Sequence, residues 1–153
     1  KTASLIASCC SVGASSSGAS DQVVSKMRQF GEKIGMAFQI KDDLFDYGEQ
    51  EIGKPVGIDI KEKKMTLPLI YSLSKASWMV KRRMISIVKN ESEKPKKVKE
   101  VIEFVKQSGG IEYAIDSMNK FHEDALKIIR EFPDSQYRQS LIQLVQFTID
   151  RNN

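Results

Sequence analysis

Residues 35–46 read GMAFQIKDDLFD and close a long apolar run of the chain. The run predicts a helix, and its end places Asp42, Asp43 and Asp46 within five residues. Carboxylates stabilise a helix near its N-terminus by about 0.3–1 kcal/mol each, and near its C-terminus the sign reverses. At about 3.6 residues per turn, Asp42 and Asp46 share a face, and Gln39 lies one turn earlier on the same side. This face therefore requires a positive partner.

A magnesium ion is one candidate for that partner. Mg²⁺ takes one or two carboxylates and completes its shell with water and phosphate oxygens. An EF-hand is excluded, because the aspartates follow a helical spacing and no glutamate closes a loop of about twelve residues. A solvated acidic helix end is the alternative, and the aspartates alone do not exclude it. Phe38 and Gln39 before them, and a loop rich in glycine and lysine after them, favour the metal site.

The composition indicates one globular domain. The chain has 153 residues, 41% hydrophobic and 29% charged, which is enough for one core. It contains no run of about eighteen apolar residues and no signal-peptide layout, so we expect a cytoplasmic protein that does not span a membrane. The net charge is +4, with basic residues scattered among acidic ones and no aromatic interleaving. This pattern is compatible with a small anionic substrate and gives no sign of nucleic-acid binding.

The cysteines and the single histidine indicate neither a disulfide nor a metal site. Cys9 and Cys10 are the only cysteines, and neighbours in sequence do not form an ordinary bridge across a fold. With a single histidine, His122, and no CxxC pair, we expect no zinc site. We interpret the cysteines and Trp78 as packing residues and assign His122 no role.

Apolar periodicity predicts an all-α fold with about seven helices and no strand. The helical patterns occupy residues 1–14, 20–46, 67–73, 77–88, 95–105, 111–132 and 141–147. Residues 47–66 carry several glycines and lysines without a period, so we expect a loop there. The second helix is apolar on two sides, which predicts a central position in its bundle. The first helix has no capping residue before it, and we expect the chain to be part of a longer protein.

FQIKDDLFD, residues 38–46, resembles the second aspartate-rich motif of the trans-isoprenyl (polyprenyl) diphosphate synthases. Further segments are similar to other motifs of that family, in the same order along the chain. They are KTA at 1–3, GKPVGIDI at 53–60 with Lys64, TLPLIY at 66–71, GGIEYA at 109–114, and the last helix. The resemblance thus covers the whole chain.

The resemblance implies an all-α isoprenoid-synthase fold, most similar to the octaprenyl type. Such enzymes ionise an allylic diphosphate with the help of Mg²⁺ and add the resulting carbocation to isopentenyl diphosphate. A homo-oligomer is also implied. The implied roles are magnesium ligands Asp42, Asp43 and Asp46; diphosphate-binding residues Lys1, Lys54 and Asp42; and catalytic residues Lys1, Thr2 and Gln39. The chemistry is consistent, because diphosphate leaves only when its developing charge is neutralised.

Two features depart from the family pattern. Lys63 stands where relatives commonly have glycine, and one aspartate-rich motif is present where the family has two on facing helices. We therefore expect residues 1–153 to be the C-terminal half of one synthase domain, inactive when isolated. The alternative is a non-catalytic helical subunit that binds diphosphate or a partner synthase. An inert bundle would leave the acidic helix end unexplained.

The missing half should also leave part of the long second helix uncovered. Its second apolar stripe consists of Val24, Met36, Ile40 and Leu44. Exposed apolar surface costs about 25 cal/mol per Å². We expect the loss of the other half to expose this stripe, and predict self-association or substitute packing around the helix.

Overall fold

The computed structural model describes residues 1–48 and 56–150, and within these ranges the chain is all-α, as predicted. It contains eight helices and no strand in this part of the chain. They are α1 (Thr2–Ser16), α2 (Asp21–Phe45), α3 (Ile58–Lys61), α4 (Leu67–Lys75), α5 (Trp78–Asn90), α6 (Pro95–Gln107), α7 (Gly110–Arg130) and α8 (Gln136–Asp150). Seven match the predicted helices. The eighth, α3, lies in a segment predicted to be loop; its four residues are too short to show a period.

Local signals in the sequence fix several helix ends. The Ser77 hydroxyl accepts a hydrogen bond from the Val80 backbone N–H at 3.5 Å, which caps α5. Pro95 opens α6 at its first turn, where a missing N–H costs nothing. Gly109 follows the end of α6 with a φ of 71°, a conformation that favours glycine. These ends depend on neighbours in sequence and are therefore predictable.

The chain divides into two compact units, and α2 and α7 each contribute residues to both. The first unit contains residues 1–41 and the described residues from Ser117 onward. Its core consists of Phe30, Ile34, Ala125, Leu126, Ile129 and Val145. In this unit α1 packs closely on α2 at two glycines: a Cβ on Gly35 would lie 2.5 Å from the Ala3 Cα, and one on Gly31 would lie 2.8 Å from the Ile6 carbonyl oxygen. The backbones meet because neither glycine has a side chain.

The second unit contains residues 42–116. In it α4, α5 and α6 pack pairwise on one another. The core side chains are Tyr47, Ile60, Leu69, Leu73, Met84, Ile87, Val88, Val98, Val101 and Val105. Ile60 comes from α3, so the short helix is anchored by a fully buried side chain.

The second apolar stripe of α2 is exposed only in part. Met36 is 36% exposed, whereas Ile40 is 4% exposed and is therefore packed within this chain. Val24 and Leu44 are half-buried. Packing of this kind was one of the two predicted outcomes, and self-association stays a prediction.

Two side chains that were interpreted as packing residues, Trp78 and Cys9, are exposed. Trp78 is 70% exposed and Cys9 is exposed, so the packing interpretation is wrong for both; Cys10 is half-buried. His122 is buried, and its Nε2 atom has no hydrogen-bond partner in the part of the chain that the structure describes. Burial lowers the pKa of His122, which keeps the ring neutral near pH 7.

The described helices include none with the length and apolar character needed to cross a bilayer.

Candidate functional site

The carboxylates at the end of α2 face a segment that folds back on them. Asp42 and Asp43 are half-buried and Asp46 is 8% exposed. The Leu67 backbone N–H, in the first turn of α4, donates to Asp43 Oδ2 at 3.4 Å. The Asp59 backbone N–H donates to Asp46 Oδ2 at 3.2 Å. Two of the three aspartates therefore hold backbone N–H groups that come later in the chain.

Burial governs the electrostatics of this cluster. It raises the pKa of Asp43 and of Asp46, and the negative charge of Asp59 raises both further. The backbone hydrogen bonds from Leu67 and Asp59 act in the opposite direction but are the smaller effect. A raised carboxyl pKa means that the local environment undercompensates the negative charge. The cluster thus favours an additional cation.

Lys64 is one of the loop lysines expected near the acidic helix end, whereas Asp59 had no predicted role, and the structure places both at the cluster. Lys64 Nζ lies 2.8 Å from Asp59 Oδ1 and 2.8 Å from Glu62 Oε2. These hydrogen bonds raise the pKa of Lys64, so its ammonium stays charged. The Lys64 side chain is still 56% exposed, which leaves a fixed positive charge available beside the carboxylates. Only the position of Asp59 two residues after Gly57 in a family-like segment could have indicated its place.

A buried contact between two hydroxyl groups connects the end of α2 to the residue before α4. The Tyr47 hydroxyl and Thr66 Oγ1 lie 2.5 Å apart, and both residues are buried. The Gly57 N–H donates to the Asp46 carbonyl oxygen at 3.1 Å. Residues 56–66 are therefore tied to the end of α2 at both of their ends.

The remaining predicted site residues lie elsewhere or outside the described ranges. Lys1 is exposed at the N-cap of α1, and Thr2 is the first, half-buried residue of that helix; both belong to the first unit. Gln39 is exposed on α2, one turn before Asp43. Lys54 lies outside the described residues. The structure thus brings together Asp43, Asp46, Asp59 and Lys64 within one unit.

The donor set fits magnesium held jointly with a substrate. Within residues 1–48 and 56–150, no three His, Cys, Asp or Glu side chains converge as a closed metal site. Mg²⁺ does not need one, because it is usually bound by one or two carboxylates and completed by phosphate oxygens and water. The Leu67 N–H reaches Oδ2 of Asp43, and a carboxylate has a second oxygen to offer. Hard oxygen donors suit a hard cation.

A sequence model of the polyprenyl synthetase family matches residues 1–105, more than half of the chain. The chain therefore belongs to the polyprenyl synthetase family, and the resemblance drawn from its motifs is confirmed.

Named relatives and solved structures agree with this assignment. The chain is 37% identical to a short chain isoprenyl diphosphate synthase of Methanothermobacter thermautotrophicus, covering 100% of this chain and 47% of that protein. It is 34% identical to a geranylgeranyl diphosphate synthase of Saccharolobus solfataricus, covering 99% and 46%. Its fold matches a geranylgeranyl pyrophosphate synthase of Bacteroides thetaiotaomicron with a TM-score of 0.90 at 36% identity, covering 99% and 50%. The chain spans about half the length of these relatives.

Proposed function

We propose that this chain is the C-terminal half of a prenyltransferase that condenses isopentenyl diphosphate with an allylic diphosphate. The proposal rests on one observation: the half-buried carboxylates at the end of α2 are held beside Lys64 in a chain of the polyprenyl synthetase family. Residues 1–153 would form part of one catalytic domain. The octaprenyl product length stays a prediction, since the relatives' names range from short chain to solanesyl synthases.

In this proposal Asp42, Asp43 and Asp46 hold Mg²⁺. Mg²⁺ held there would supply positive charge that offsets the charge of the leaving diphosphate. Support comes from the raised pKa values of Asp43 and Asp46, which a nearby cation would lower. A polyprenyl synthase of Caulobacter crescentus, 28% identical to this chain with a TM-score of 0.83, is described as complexed with calcium and isoprenyl diphosphate.

Backbone N–H groups of this chain orient the carboxylates, and a lysine side chain adds positive charge. The N–H groups of Asp59 and Leu67 fix the Asp46 and Asp43 carboxylates. Lys64, held by Asp59, presents an ammonium that binds diphosphate oxygens as a point charge. Asp42, Lys1 and Lys54 would bind the same diphosphate.

Two residues are proposed to act beside the reacting carbons rather than on the metal. Gln39, exposed one turn before Asp43, would present its amide there, and Thr2 would present its hydroxyl. An amide and a hydroxyl carry oriented dipoles without net charge, and therefore stabilise a carbocation without competing for diphosphate.

Reconstitution tests this proposal. The isolated chain, given allylic diphosphate, isopentenyl diphosphate and Mg²⁺, is expected to form no product, because half of the catalytic domain is absent. Adding an N-terminal half from a relative of this family should produce a polyprenyl diphosphate, measured by incorporation of labelled isopentenyl diphosphate. Turnover by the chain alone would refute its dependence on a second half.

The same assay separates a non-catalytic subunit from an enzyme half. If the chain only stimulates a complete synthase, and does so equally well as Asp42→Ala, it is a regulatory binding protein. Homo-oligomer formation also stays a prediction, since two relatives are named heptaprenyl diphosphate synthase component 2.

A further inference from the structure

Two large apolar side chains project from the first turn of α5. Trp78 is 70% exposed and Met79 is 73% exposed. Their position is fixed, because Ser77 caps this turn and the opposite face of α5 is anchored in the core through Met84 and Ile87. Other large apolar side chains of the chain are also exposed, but these two are adjacent and form one patch, and an exposed apolar patch is what marks an interaction site. The first turn of α5 is therefore a candidate binding surface.

Basic residues flank this turn in the sequence, and one of them, Arg83, pairs with Glu100 of α6. Residues 63–90 carry seven lysines and arginines and no aspartate or glutamate, whereas the rest of the chain holds seventeen basic and twenty acidic residues. The entire positive excess of the protein thus lies in this segment, and the interpretation of its cations as scattered is wrong here. Lys75, Lys81 and Arg82 are exposed within four residues of Trp78. The Arg82 guanidinium lies 5.3 Å from the centroid of the indole ring.

We propose that the first turn of α5 docks the protein on an anionic lipid surface, with Trp78 and Met79 entering the headgroup region. A tryptophan suits this boundary, because its ring is apolar and its N–H is a hydrogen-bond donor. Lysine and arginine stems lie along apolar surface while their charged ends reach anionic headgroups. This helix would lie on the membrane and not cross it.

The small size of the patch favours a lipid surface over a protein partner. A stable protein interface buries about 800 Å² on each partner, with a broad apolar centre. Here only Trp78 and Met79 project, and basic residues lie near them in the sequence. This is the arrangement of an anchor that lies in the membrane interface. A fluid, negatively charged surface complements such a turn without a preformed pocket.

Tryptophan fluorescence tests this proposal directly, since Trp78 is the only tryptophan of the chain. The 153-residue chain is mixed with vesicles of phosphatidylcholine alone, or of phosphatidylcholine with phosphatidylglycerol. We expect a blue shift of the emission and protection from iodide quenching with the anionic vesicles only, both reversed by high salt. Met79→Ser should weaken the partitioning while leaving Trp78 as the probe.

Variants that remove positive charge measure how much the basic residues contribute to vesicle binding. Each basic residue near an anionic surface contributes about 1 kcal/mol, so the Lys81→Gln, Arg82→Gln double variant should partition about 25-fold more weakly. The Lys106→Gln, Lys120→Gln double variant, at exposed positions on α6 and α7, is the matched control and should partition like the unaltered chain. All four positions are on the surface, and circular dichroism verifies that each variant keeps its helices.

Two results would overturn the proposal. One is an unchanged emission and no co-sedimentation with anionic vesicles. The other is a blue shift that appears on raising the protein concentration without vesicles, which would assign the turn to a contact between protein molecules.

Discussion

Replacing Asp42 with alanine is expected to lower the condensation rate of the reconstituted synthase by about 10²–10³-fold, the usual loss when one group that stabilises transition-state charge is removed. Asp42 lies half-buried at the end of α2, next to two carboxylates whose pKa values burial raises. Without its charge, the cluster would hold Mg²⁺ less well, and the diphosphate would leave against less positive charge. The rate is measured with labelled isopentenyl diphosphate across a range of Mg²⁺ concentrations.

Asp21→Ala is the matched control for this experiment. Asp21 is an exposed aspartate at the other end of the same helix, where its charge favours the helix dipole. Its loss should cost about 0.3–1 kcal/mol of stability and leave the condensation rate unchanged. Equal rates for Asp42→Ala and the unaltered chain at every Mg²⁺ concentration would contradict the proposed role of Asp42.

Replacing Gly35 with valine is expected to lower the free energy of unfolding of the chain by about 1–3 kcal/mol, because an added side chain forces closely packed backbones apart. A Cβ at this position would lie 2.5 Å from the Ala3 Cα and 3.0 Å from the Ala3 Cβ. Main-chain atoms cannot turn away as a side chain does, so α1 must shift. Ala3 directly follows Lys1 and Thr2, and the shift would also displace these two predicted site residues.

Gly13→Ala is the control for the Gly35 variant, since a Cβ on Gly13 meets nothing within 4 Å. This change should stabilise α1 by about 1 kcal/mol through helix propensity. Urea unfolding followed by circular dichroism measures both variants. Equal midpoints for Gly35→Val and the unaltered chain would show that α1 does not pack on α2 at this glycine.

Helix positions were predictable because their determinants are local. Ser77, Pro95 and Gly109 each act on residues within one turn, at the ends of helices whose positions were predicted. The short helix α3 was missed for the same reason: one turn anchored by Ile60 has no periodicity, and its stability comes from the core. The exposure of Trp78 was missed because, in the first turn of a helix, sequence alone does not establish which face is buried.

The candidate site was predictable only on its own helix. The spacing of Asp42, Asp43 and Asp46 indicates one acidic face. The hydrogen-bond donor to Asp46 comes from Asp59, 13 residues later, and the donor to Asp43 comes from Leu67, 24 residues later. Contacts over such separations cannot be read from helical spacing. The roles of Lys1, Thr2, Gln39 and Lys54 came from resemblance to the family, and they stay predictions.

Titration calorimetry of inorganic pyrophosphate into the chain, with and without Mg²⁺, tests the central claim most directly. The account predicts saturable binding that requires Mg²⁺ and is lost in Asp42→Ala, once an N-terminal half is supplied and both parts are shown to be helical. No Mg²⁺-dependent binding by the unaltered protein under these conditions would contradict the assignment of the α2 carboxylates to a magnesium diphosphate site.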